Sequence, residues 1–267
     1  MASPLHVVRA GSGPTVVLVH GSAADHSTWS IQLASTLTAV ARLVAYDRRG
    51  SGRSPPWPVT APWWSVEAHA ADLAELLADE ATPAVVVGSS FGAVVALELA
   101  RRQPALCRAV VLCEPPMAAG DEVPVGPVGF LDELDAVAAA DGAPAAATVF
   151  LRTVLGDDAF ARMPRAYRDR STAMWPAIRS DCQALAAYQP RYRQLAGLVV
   201  PTWLVGGERS APYFAATLDA LGAAIPGSER ATIRAAGHMM HAEGHRQFGE
   251  LLRVILGGPG PGAEPAA

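Results

Sequence analysis

Two hydrophobic rhythms alternate along the chain. Short segments at Leu5–Arg9, Thr15–Val19, Arg42–Tyr46, Val85–Val87, Ala109–Cys113, Val199–Val205 and Arg230–Arg234 are rich in Val and other strand formers. Most are apolar with little polar alternation, the pattern of strands buried on both faces. Between them lie segments with helical spacing. Trp29, Leu33 and Leu37 fall four apart in His26–Val40, and Leu73, Leu76 and Leu77 share a face of Val66–Glu80, for which Ser65 is the predicted N-cap. Ala93–Arg101, Ala211–Ala224 and Gln247–Leu256 also read as helices. Strands alternating with helices at these distances predict an α/β fold, a mostly parallel sheet with right-handed crossovers and helices on both faces.

One block departs from the rhythm. No β-branched run interrupts Phe130–Ala140, Ala145–Leu155, Asp157–Arg170 or Thr172–Tyr188, so these segments are predicted helices. Residues 117–197 therefore read as a helical insertion, a cap over the C-terminal edge of the sheet. Residues 1–116 and 198–257 form the core, and the Gly/Pro/Ala-rich stretch 258–267 is an expected disordered tail. Pro55, Pro56, Pro58 and Pro62 make Pro55–Trp64 a loop.

The chemistry centres on Gly88-Ser89-Ser90-Phe91-Gly92. A strand precedes it and a helix follows, the setting in which G-x-S-x-G forms a nucleophile elbow. The corner forces Ser90 into strained geometry, and the glycines let neighbouring backbone approach. Its Oγ is expected at the C-terminal sheet edge, over a helix N-terminus that favours developing negative charge. A serine hydroxyl needs a base. His238 follows the last strand and so reaches the same sheet edge. The backbone N–H groups of Ser22, after His20-Gly21, and of Phe91 are the candidate oxyanion hole, with His20 orienting its loop. His241 and His245 are four apart but flank Ala-Glu-Gly, which is no H-E-x-x-H zinc motif.

Composition narrows the chemistry further. The 267 residues contain no Lys and no Asn, so Schiff-base, Ser-Lys and P-loop lysine chemistry is excluded. A net charge of −4 without like-charge blocks gives no electrostatic case for nucleic acid or an anionic membrane. Cys107, Cys113 and Cys182 form no C-x-x-C pair and are expected as small buried hydrophobes. The N-terminus shows no signal-peptide pattern, and a cytoplasmic, soluble protein is expected.

Taken together, His20-Gly21, Asp47-Arg48-Arg49-Gly50-Ser51-Gly52-Arg53-Ser54, Gly88–Gly92 and Gly237-His238 resemble the cap-bearing serine hydrolase and esterase branch of the α/β-hydrolase superfamily. The resemblance implies a Ser-His-acid hydrolase with no cofactor, commonly acting on esters, lactones, amides or activated C–C bonds of small molecules, and the His241/His245 spacing gives no reason to expect a metal. One position departs from it. Such relatives carry their acid after the penultimate strand in a segment like G-E-x-D, and here that segment is Gly207-Glu208-Arg209-Ser210. Serine cannot supply the charge that holds the imidazole tautomer. Glu114, at the end of the strand after the elbow helix, is the expected acid. Glu208 is the alternative, with Asp219, a cap residue or no acid behind it. Asp47 and Arg48 read as a charged turn supporting the nucleophile loop.

The function expected is hydrolysis of carboxylic esters through an acyl-enzyme. A lactonase, C–C bond hydrolase or perhydrolase would use the same triad. A non-hydrolytic cyclase or ligand-binding protein would use the pocket alone. Serine at the elbow, where aspartate would be needed, argues against epoxide hydrolase and dehalogenase chemistry.

Overall fold

Each strand-forming segment becomes a strand of one seven-stranded sheet. The structure is a computed structural model that describes the chain apart from residues 1–4, 59, 62–63, 81–82, 121–127, 189–191 and 258–267, so the expected tail lies outside the described residues. The strands are β1 (Val7–Ala10), β2 (Thr15–Val19), β3 (Arg42–Tyr46), β4 (Ala84–Ser89), β5 (Cys107–Cys113), β6 (Thr202–Gly207) and β7 (Glu229–Ile233). Their order is β1-β3-β2-β4-β5-β6-β7, parallel throughout except for β1, which pairs antiparallel to β3 at one edge. The sheet predicted from the alternation is therefore present.

Successive residues of the central strands enter opposite cores, as the period of two requires. Val17, Val19, Val44, Tyr46 and Val86 face one side, with α2 (Val66–Ala78), α3 (Phe91–Arg102) and α10 (Pro212–Ala224). Val16, Leu18, Leu43, Ala45, Val85 and Val87 face the other, with Trp29, Phe248 and Leu252. The last two belong to α12 (His245–Ile255), which follows the one-turn α11 (Met240–Glu243). Both faces being covered explains why the strands carry no polar alternation.

The predicted helix His26–Val40 is instead a 3-10 turn at His26–Trp29, the one-turn α1 (Ser30–Leu33) and a second 3-10 turn at Thr36–Ala39. Hydroxyl side chains break it. Ser35 Oγ donates to the Gln32 carbonyl and accepts from Leu37 N–H, and Thr38 Oγ1 donates to the Ser35 carbonyl. Such local bonds compete with the helical ladder. Ser65 caps α2 as predicted, accepting from Ala68 N–H at 3.1 Å.

Between β5 and β6 come α4 (Phe130–Asp141), α5 (Ala143–Leu155), α6 (Asp157–Arg162), α7 (Arg165–Thr172), α8 (Trp175–Ala187) and α9 (Tyr192–Leu195). The predicted helix Asp157–Arg170 is two, because Pro164 lacks the N–H that would continue the first and instead precedes the second. Pro144 and Pro176 occupy first-turn positions, where proline is tolerated. These helices enclose a small core of their own, Leu134, Ala146, Leu151, Phe160, Trp175 and Ile178 among its members. Ala23, from the loop after β2, packs into it.

The register matters most for the site. Val19 pairs with Gly88, Ser89 with Cys113, Cys113 with Val205, and Gly207 with Ile233. The C-terminal ends of five adjacent strands are thus level, and the residues just beyond them meet. Among the described residues no helix is long and apolar enough to cross a membrane.

Candidate active site

Ser90 sits between β4 and α3 with φ 54° and ψ −124°, a left-handed geometry unfavourable to any residue with a Cβ. Its N–H donates to the Cys113 carbonyl at 2.8 Å, and its carbonyl accepts from Ala93 at 2.8 Å. The flanking glycines are required by contact. A Cβ at Gly88 would run into the Gly92 backbone, and one at Gly92 into the carbonyls of Val19 and His20. The strained corner expected for Ser90 is present, and α3 starts directly behind it at Phe91.

Glu114, one residue past β5, also has positive φ (47°). Its carboxylate is buried and doubly engaged. Oε1 accepts from Gly207 N–H at 2.7 Å, and Oε2 meets His238 Nδ1 at 2.6 Å. A carboxylate only accepts, so the imidazole donates from Nδ1, which leaves the Nε2 lone pair free. Phe214 of α10 stacks on the His238 ring, 4.4 Å between centroids and 14° from parallel, so the ring is held in plane as well as by its hydrogen bond.

The other candidate acids lie elsewhere. Glu208 is exposed and accepts from Ala235 N–H at 2.7 Å, tying down the loop that leads to His238. Asp219 is exposed and faces Arg230 at 3.6 Å. Ser210, at the position where aspartate was expected, has a buried Oγ with no hydrogen-bond partner among the described residues.

Ser90, His238, Gly21 and Ser22 line one cavity, walled by Phe150, Leu151, Val154 and Leu155 of α5 with Met163 and Tyr167. It is small, about 40 Å3. The inserted helices form most of its apolar side.

Asp47 and Arg48, the charged turn expected to support the nucleophile loop, are built in more deeply than a turn requires, Arg48 above all. Its side chain is buried at 2% exposure and ion-pairs with Asp181 of α8, Nη1 to Oδ1 at 3.0 Å and Nη2 to Oδ2 at 2.7 Å. Nε donates to the His20 carbonyl and Nη2 to the Gly21 carbonyl, each at 3.1 Å. Asp181 Oδ2 also accepts from Ser22 Oγ at 2.7 Å. Nothing in a linear pattern links positions 48 and 181, and charged residues are seldom buried. Asp47 caps the turn, accepting from the backbone N–H of His26 at 2.7 Å and of Arg53 at 2.8 Å.

Three buried imidazoles near the site are held neutral. Burial, with the Arg48 charge beside it, lowers His20 to about 3. Arg48 N–H donates to His20 Nε2 at 2.9 Å, so Nδ1 carries the proton it gives to the Gly21 carbonyl at 2.8 Å. Burial, again with Arg48 adjacent, holds His69 well below its ordinary range. Burial, with His238 nearby, lowers His241 to about 3. His241 Nε2 lies 3.1 Å from Thr28 Oγ1 in the cavity wall, whereas His245 is exposed, so the two do not share a ligand face. Burial raises the thiols of Cys107 and Cys182 to about 12, far from reactive thiolate character.

These imidazoles set a pH dependence. Below pH 6.5 the unfolded chain binds protons that the folded imidazoles refuse, so stability falls as pH drops from 6.5 toward 3. The slope is at most about 1.4 kcal/mol per pH unit for each group. Urea denaturation at pH 6 and pH 5 checks it. His241→Gln, which cannot titrate, is expected to flatten the change by about 1 kcal/mol, and an unchanged slope would contradict the assignment.

A family model described as the alpha/beta hydrolase family matches residues 16–251. The chain belongs to that family. Within alpha/beta hydrolases it is similar to the lipase LipV of Mycobacterium tuberculosis, 42% identical over 121 residues, 44% of either chain. It is also similar to the putative carbamate hydrolase RutD of Variovorax paradoxus, 36% identical over 112 residues and 41% of either chain. The match thus spans less than half the length of these curated relatives. Among solved structures the enol-lactonase from Burkholderia xenovorans LB400 superposes with a TM-score of 0.81 at 25% identity, covering 95% of this chain and 96% of that one. The mostly parallel sheet with surrounding helices is accordingly the alpha/beta hydrolase fold.

Proposed function

We propose that this alpha/beta hydrolase cleaves carboxylic esters of small organic substrates through an acyl-enzyme on Ser90, with residues 117–197 acting as the cap that shapes its acyl pocket. One observation carries the reading: the buried 2.6 Å contact between His238 Nδ1 and Glu114 Oε2, on an imidazole that lines the same cavity as the strained Ser90.

In the proposed cycle His238 Nε2 takes the Ser90 proton as Oγ bonds to the carbonyl carbon. The π pair moves onto oxygen, where the N–H groups of Ser22 and Phe91 receive it. Phe91 opens α3, and its N–H has no intrahelical acceptor. When the tetrahedral adduct collapses, the alcohol leaves with the proton from His238. Water then repeats the sequence on the acyl group, and Ser90 is released. Glu114 fixes the His238 tautomer and stabilises its imidazolium form. No cofactor or metal enters these steps.

The test is hydrolysis of p-nitrophenyl acetate, butyrate and octanoate. The cavity is small and bounded on its apolar side by Phe150, Leu151, Val154 and Leu155. kcat/KM is therefore expected to level off between butyrate and octanoate, since a methylene that stays in water beyond the pocket adds none of the about 0.8 kcal/mol that burying it would contribute. A preference rising with chain length would contradict this acyl pocket. The likeness to an enol-lactonase favours a second reading, lactone opening by the same residues, and a small lactone assayed in a pH-stat compares the two.

A further inference from the structure

Oxyanion holes work only if their donors are aimed before the charge develops. The loop that would supply one of them, His20-Gly21-Ser22, has no regular secondary structure. Something else must fix its peptide planes. Gly21 touches the nucleophile: a Cβ there would lie 2.9 Å from Ser90 Cβ. Rotating the Gly21–Ser22 peptide in place would turn its N–H away from the site.

That peptide is held by its carbonyl. The C=O of Gly21 and the N–H of Ser22 belong to one planar trans unit and point in opposite directions. Arg48 Nη2 and His20 Nδ1 both donate to the Gly21 oxygen, at 3.1 and 2.8 Å. Holding the oxygen on the Arg48 side leaves the Ser22 N–H facing away from Arg48. The preceding peptide is fixed likewise, through Arg48 Nε and the His20 carbonyl. The guanidinium also lies 4.4 Å from the centroid of the Phe91 ring, the residue carrying the other oxyanion N–H.

We infer that Arg48, clamped by Asp181 of α8, is the positioning residue of the oxyanion hole, and that through Asp181 and Ser22 it couples the inserted helices to that hole. The inference rests on the acyl-transfer reading above. The Arg48 fork satisfies this geometry fully. Nε serves the His20 carbonyl, Nη1 serves Asp181 and lies 3.3 Å from His69 Nε2, and Nη2 serves Asp181 and the Gly21 carbonyl. A lysine ammonium has neither the planar fork nor the reach to two carbonyls and a carboxylate together. The Ser22 hydroxyl, bonded to the same carboxylate oxygen that Arg48 holds, closes the circuit on the residue whose backbone N–H is being aimed.

A positioning role and a purely structural one make different predictions. Replacing the buried pair together, Arg48→Met with Asp181→Leu, leaves no unpaired buried charge and is compatible with a stable fold. The active fraction is counted by intact-mass titration with a p-nitrophenyl phosphonate carried to completion. kcat per titrated site on p-nitrophenyl acetate is expected to fall roughly 100-fold, the loss typical of one oxyanion donor, with KM changed by no more than about threefold. Inhibition by a small alkylboronic acid, whose tetrahedral adduct carries the oxyanion, should weaken by a similar factor. A kcat per site equal to that of the wild type would overturn the inference even if the melting temperature dropped. If the double variant does not fold, Arg48→Lys gives the same comparison. A wild type that neither turns over nor takes the label would instead bring down the hydrolase reading, and this inference with it.

Discussion

Ser90→Ala is expected to abolish ester turnover, with kcat falling on the order of 10⁶-fold and KM little changed. Among the described residues no other nucleophile stands at the elbow. Ser89, its neighbour, is the last residue of β4 and is buried at 5% exposure. The substitution removes only Oγ, so neither the bond from Ser90 N–H to Cys113 nor the glycine contacts around the corner change. Circular dichroism and melting temperature should therefore stay close to wild type while p-nitrophenyl acetate hydrolysis falls to the residual rate that binding and the oxyanion hole alone sustain. Full activity in the variant would mean that the chemistry resides elsewhere.

The second large effect concerns the acid. Glu114→Gln is expected to lower kcat by about 10⁴, the loss seen when a triad carboxylate is replaced by its amide. An amide at that position can present its N–H₂ to His238 Nδ1, which favours the tautomer with the proton on Nε2, the wrong nitrogen for taking a proton from serine. Glu208→Gln should retain nearly wild-type kcat, because Glu208 holds the Ala235 N–H at the surface and an amide oxygen also accepts that bond. The pair is decisive as a comparison. A loss in Glu208→Gln without one in Glu114→Gln would transfer the acid to the other loop.

Ser210 is the reason the sequence leaves the acid open between Glu114 and Glu208. The family pattern places a carboxylate there, and the chain instead has a hydroxyl whose oxygen is buried and unpartnered among the described residues. Glu114 could be singled out because it ends a strand two places from β7 in the sheet and has a side chain long enough to cross. What the sequence does not encode locally is the distance between residues 114 and 238. That depends on β5, β6 and β7 being adjacent and level, a consequence of the whole sheet.

Other parts were legible for reasons equally physical. β2 and β3 match their predicted bounds because strands buried on both faces need continuous apolar sequence, and few other structures do. The elbow was legible because its glycines are demanded by backbone contact rather than by preference. The segment His26–Val40 was not, since its apolar spacing is helical while Ser35 and Thr38 bond back to the main chain. Arg48 is legible in the sequence only as part of a charged turn supporting the nucleophile loop. Its burial is not legible there, because it depends on Asp181, which is 133 positions away.

The central claim is that Ser90 becomes covalently acylated. Its most direct test is intact-mass and peptide-mapping analysis after treatment with a p-nitrophenyl phosphonate. One equivalent of phosphonyl group on the peptide containing Ser90, with stoichiometric release of p-nitrophenol and none from Ser90→Ala, is the predicted result. Ester turnover with no adduct, or an adduct that persists in Ser90→Ala, would contradict it.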